Sequence, residues 1–110
     1  MTWKSRTPPS AVARAAQAAL DIRETLPPSR RGGTAVGLAR ARQLADRQPL
    51  SIDVIKRMVS FFARHGASPG SAAARQDRTS KAAQAWGLWG GTPGRAWARR
   101  ELARYERETS

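Results

Sequence analysis

Ser51-Ile52-Asp53-Val54-Ile55-Lys56-Arg57-Met58-Val59-Ser60-Phe61-Phe62-Ala63-Arg64-His65-Gly66 is the stretch on which the fold turns. Ile52, Ile55, Val59 and Phe62 recur at helical spacing and form one stripe, which Val54, Met58 and Phe61 widen. A face this broad predicts the central helix of a core rather than one lying on its surface. Ser51 suits the N-cap, Asp53 suits the positive end of the helix dipole, and Gly66 stops the helix. His65, at the other end, complements the dipole and needs no further role.

Upstream, Gln48-Pro49-Leu50 reads as a short turn, preceded by a helix that Thr34 caps and that runs to about Asp46. Gly37, Ala41 and Leu44 give that helix a small-residue face, with Arg40, Arg42 and Arg47 pointing elsewhere. A first helix over 11–25, capped by Ser10, carries Val12, Ala16, Ala19, Ile22 and Leu26 at helical spacing until Pro27-Pro28 stops it. Ser29-Arg30-Arg31-Gly32-Gly33 is then a flexible cationic connection.

Downstream, residues 67–78 read as a mobile loop, rich in Ser, Gly and polar side chains. Thr79 or Ser80 caps a fourth helix whose face holds Ala82, Ala85, Trp86 and Trp89, and Gly90-Gly91 breaks it. Thr92-Pro93 has the preferences of a new helix start. That last helix turns Trp97, Leu102 and Tyr105 inward and Arg95, Arg99, Arg100, Arg104 and Arg107 outward. No strand-like alternation or repeat occurs. The expectation is an all-α protein, a single small bundle of about five short helices, because 110 residues are too few for two independent cores. Residues 1–9 form an exposed, extended N-terminal arm, 10–107 the helical domain and 108–110 a tail.

Lysine and arginine number 20 against 8 acidic residues, a net charge of +12, and 17 of the 20 are arginine. Such a surplus favours phosphate-rich or acidic partners, and arginine's planar fork suits bidentate contact with phosphate or carboxylate. The apolar runs are far short of the ~20 residues that span a bilayer, so no membrane partner is expected. Met1 to Arg14 has positive charge but no apolar stretch before Pro8-Pro9, unlike a secretory signal, so a soluble intracellular protein is expected. With one histidine, no cysteine and singly scattered acids, the sequence offers no metal cluster, catalytic triad or carboxylate pair. No enzyme activity, catalytic residue, cofactor, metal or small-molecule substrate is expected.

Three constellations remain as candidate sites. Ala39 to Arg57 has the layout of a helix-turn-helix, in which Lys56 and Arg57 face a groove and Arg40, Arg42 and Arg47 contact phosphate. An ordinary helical hairpin fits the same residues. Arg30-Arg31-Gly32-Gly33 ahead of a helix start could bind an anion through glycine amides and two guanidiniums, though it lacks the Gly-Lys-Ser/Thr ending of a P-loop. The segment Ala85 to Trp97 holds three of the four tryptophans. These could stack on bases, anchor an interface or fill the core, and in a chain with seven aromatics the core has first claim. Arg95, Arg99 and Arg100 form a second cationic patch, and Trp3 is a candidate partner contact in the arm.

Pro27 to Arg42, then Ile55-Lys56-Arg57-Met58 with Phe61-Phe62-Ala63-Arg64-His65, then Ala85-Trp86-Gly87-Leu88-Trp89-Gly90-Gly91, together resemble a small helical domain found in tailed-bacteriophage proteins. The resemblance covers roughly residues 27–97, and such domains sometimes occur near prohead-protease and capsid modules. It implies a phage origin, with the host cytoplasm or the virion as the setting, and assigns no catalytic residue. Gly87 stands where the phage domains usually carry an aliphatic residue, and 67–78 lacks their charged, proline-rich insert. The leading expectation is a non-enzymatic basic protein that contacts nucleic acid during phage DNA handling or in the virion. The alternative is a protein-binding role against an acidic phage or host surface, as a capsid or head-tail accessory or as an inhibitor of a host enzyme.

Overall fold

The structure, a computed structural model, describes residues 4–66 and 69–109. Six α-helices and no strand occur among them: α1 Ser10–Glu24, α2 Ala35–Ala45, α3 Ile52–Gly66, α4 Pro69–Ala74, α5 Lys81–Leu88 and α6 Gly91–Thr109, with a 3-10 turn at Pro28–Arg30. The all-α bundle read from the sequence is thus the observed fold. Local chemistry explains several ends. Thr34 Oγ1 accepts the Gly37 N–H at 3.1 Å, as predicted, and of the two candidates Thr79 and Ser80 it is Ser80 that caps α5, its Oγ accepting the Ala83 N–H at 3.1 Å. Ser10 is instead the first helical residue, after Pro9 as N-cap, and its hydroxyl accepts from Arg14. Gly90 and Gly91 adopt φ of +106° and +64°, which lets the chain turn from α5 directly into α6.

α1 packs on α2, α5 and α6, while α3 packs chiefly on α6. The core cluster joins Val12, Ala16 and Ala19 of α1, Ala41 and Leu44 of α2, Ile55, Met58, Phe61 and Phe62 of α3, Leu88 and Trp89, and Trp97 and Ala98 of α6. α3 is the central apolar helix that its stripe predicted. Its two phenylalanines organise the tryptophans. Phe61 stacks on Trp89 with centroids 4.8 Å apart and an 11° interplanar angle, and Phe62 meets Trp86 edge-on at 4.7 Å. Each such pair adds about 0.5–1.5 kcal/mol beyond its burial. Trp89 and Trp97 are buried and Trp86 half-buried, so the tryptophan segment is a structural joint.

Several expectations need correction. The 67–78 segment contains α4, because alanines at 72–74 favour helix and Arg75 ties the segment down. The Arg75 guanidinium lies 3.7 Å over the Trp86 ring and donates to the His65 carbonyl at 3.0 Å. Residues 4–9 of the arm are extended but docked rather than exposed as a whole. Arg6 and Leu50 exchange both backbone hydrogen bonds, Pro8 is fully buried, and Arg6 forms ion pairs with Glu101 and Glu108 of α6 at 3.6 and 3.7 Å. α6 accordingly continues to Thr109, past the start of the expected tail at 108. Trp3 lies outside the described residues.

Candidate nucleic-acid interface

The seven cations proposed from residues 30–57 do not form one surface. Arg40 is the clearest correction: α2 turns it into the protein, where it is only 6 % exposed, with its guanidinium 5.4 Å from the Trp89 ring centroid and a hydrogen bond from Nη1 to Gln43 Oε1. Burial pushes its pKa down, and the nearby Arg57 charge lowers it further. The buried face of α2 is therefore wider than Gly37, Ala41 and Leu44, and includes Arg40. A helix-turn-helix needs its two helices packed on each other, whereas α2 leans mainly on α1 and α5, and α3 on α6. The plain hairpin reading is overturned on the same ground.

Arg30 and Arg31 are drawn into a polar staple. Gln84 of α5, 1 % exposed, accepts the Gly32 N–H at 2.7 Å and donates to the carbonyls of Arg30 at 3.0 Å and Thr79 at 2.9 Å. The Gly32 carbonyl accepts from Arg23 Nε, and Arg31 Nε donates to the Leu26 carbonyl, each at 3.0 Å. The Gly32 amide that was to help cradle an anion is therefore already satisfied, which corrects that reading. Arg30 stays exposed, with Nη2 donating to Thr79 Oγ1 at 3.2 Å. Asp77 holds the Thr79 hydroxyl and N–H at 2.8 and 2.9 Å, and these bonds keep its carboxyl below the ordinary range.

The remaining cations divide between two flanks of α3. Arg57 lies on the side towards Arg40, and Arg42 and Arg47 are exposed on and just after α2. Arg47 adopts φ +51° and donates from Nε to the Pro8 carbonyl at 2.9 Å, so part of its guanidinium already serves the arm. Lys56 lies on the other flank, its Nζ 5.1 Å over the Tyr105 ring of α6. That side belongs to α6, where Arg95, Arg99 and Arg100 are exposed. Arg95 and Arg99 line a groove with Val59, Phe62, Ala63 and Gly66 of α3. Lys56 therefore sits against the Tyr105 turn of α6, apart from the α2-side arginines with which the helix-turn-helix reading grouped it.

Charge accounting favours α6. Two of the three carboxylates on this helix are engaged: buried Glu101 pairs with Arg6 and with Arg104 at 3.4 Å, and Glu108 pairs with Arg6, while Glu106 lines the surface beside Arg99. Among the described residues no carboxylate pairs with Arg95, Arg99 or Arg100. Sequence reading missed Gln84, Glu101 and the apolar groove. The helical spacing of Arg95, Arg99, Ala103 and Glu106 was visible, but the antiparallel partner beside it was not. No protein-family model, curated protein or solved structure matches the chain.

Proposed function

We propose that this chain is a non-enzymatic, phage-encoded protein that binds nucleic acid through the phosphate backbone, during DNA handling in the host cytoplasm or within the virion. The observation that carries the reading is the exposed cluster Arg95, Arg99 and Arg100, without a carboxylate partner among the described residues, with Lys56 beside the same helix. Arg42, Arg57 and part of Arg47 supply a second flank. Guanidiniums left without internal partners gain most from phosphate, which accepts their paired N–H groups. Base reading is not part of the proposal: Trp89 and Trp97 are buried, and Arg75 covers a face of Trp86. The resemblance to phage domains supplies the biological setting.

Salt titration of binding to duplex DNA tests it. With about four phosphate contacts, log K should fall with log salt at a slope of about −3.6, or roughly 150-fold between 50 and 200 mM. Affinity that does not change with salt, or no binding at low salt, would remove the reading.

A further inference from the structure

α3 and α6 run antiparallel, with Lys56 beside Tyr105 and Phe62 beside the Arg95 end, and between them an open groove has two adjoining parts. The first, about 370 Å³, is lined by Val59, Phe62, Ala63, Gly66, Arg95 and Arg99. The second, about 420 Å³, is lined by Val59, Arg99, Leu102, Ala103, Glu106 and Arg107. Val59 and Arg99 belong to both, which makes the groove continuous.

Phosphate binding needs the arginines but not the floor. Val59 and Leu102 are half-buried and the methyls of Ala63 and Ala103 are exposed, so the floor is aliphatic and solvent-accessible. Phe62 is 2 % exposed and offers no open ring face for a base to stack on. Aliphatic side chains fit such a floor, while Arg95 and Arg99 on its rim suit carboxylates, with Glu106 the one acidic residue of the lining. We infer that the α3–α6 groove docks an acidic amphipathic helix of a protein partner, aliphatic side chains down and Asp or Glu against the arginines. From Arg95 to Glu106 the groove wall extends roughly 16 Å, the length of about three helical turns, enough for anchors at i, i+4 and i+7. Arg95 and Arg99 also serve the proposed phosphate surface, so helix and nucleic acid compete there. The inference itself stands without nucleic-acid binding.

The test titrates the full chain with a fluorescein-labelled helical peptide of about 15 residues, leucine at the anchor spacing and glutamate on both flanks, and with its scrambled isomer. The patterned peptide should bind about tenfold more tightly or better, because the isomers differ only in presenting an apolar stripe. Ala63→Gln with Ala103→Gln fills the groove at exposed helical positions without changing charge. It should weaken the peptide by about tenfold and duplex DNA by less than about twofold, since counterion release depends on charge. Ala103→Gln alone repeats the test should the double variant lose its helical circular dichroism. Equal affinity for the two peptides, peptide binding unmoved by filling the groove, or DNA binding lost in parallel with the peptide would each overturn the inference. Failure of the unsubstituted chain to bind DNA would overturn only the proposed function.

Discussion

Gly87 lets α5 lie close against α1: a Cβ built there would lie 2.7 Å from Ala19 Cβ, with only ordinary contacts of 3.7 Å to the Ala15 carbonyl oxygen and Ala19 Cα. Carbon atoms prefer about 3.5–4.0 Å, so Gly87→Ala must push the two helices apart by about 1 Å. Overpacking of this kind costs about 1–3 kcal/mol, against a helix-propensity gain of about 0.8–1.0 kcal/mol. The net is a loss of about 0–2 kcal/mol. Ala19→Gly alone loses about 0.5–1 kcal/mol of propensity and about 0.8 kcal/mol of methyl burial. In the double variant the new methyl takes the place of the old one, so both terms nearly cancel and stability returns close to that of the parent chain. Urea unfolding followed by circular dichroism on all four proteins should give a favourable coupling of about 1–4 kcal/mol. Additivity within about 0.5 kcal/mol would refute the reasoning, because it would mean that the two positions do not share one space.

Gln84→Leu should destabilise the protein by about 3 kcal/mol in urea unfolding, since it strands the Gly32 N–H and the carbonyls of Arg30 and Thr79 that Gln84 satisfies. Asp77 has a lowered pKa in the folded state, so its contribution is present at neutral pH and is lost as pH falls through the folded value. Asp77→Asn should therefore make the acid limb of the stability–pH curve shallower, as read by urea unfolding between about pH 3 and 7. Arg40→Met should leave duplex DNA affinity within about twofold, whereas Arg99→Ala should reduce the salt slope by about 0.9. A salt slope that drops equally in both would put Arg40 back among the phosphate contacts.

The sequence alone settled what depends on neighbours within a helical turn or two. The α3 stripe, the caps at Thr34 and Ser80, and the break at Gly90-Gly91 all follow from side-chain spacing and short-range hydrogen bonding, and the structure has each of them. The charge excess was equally legible. Tertiary structure decided which arginines remain at the surface. Arg40 and Arg42 sit two residues apart on the same helix, yet one lies over Trp89 and the other is exposed. That difference comes from a ring 49 positions along the chain from Arg40, which no local spacing reports. Glu101 was hidden for the same reason: its inward place on an arginine-rich helix is compensated by Arg6, which the N-terminal arm brings across through its bridge to Leu50. Helix formation is fixed by contacts three or four residues apart, whereas the burial of a charge depends on a partner that only the folded chain supplies.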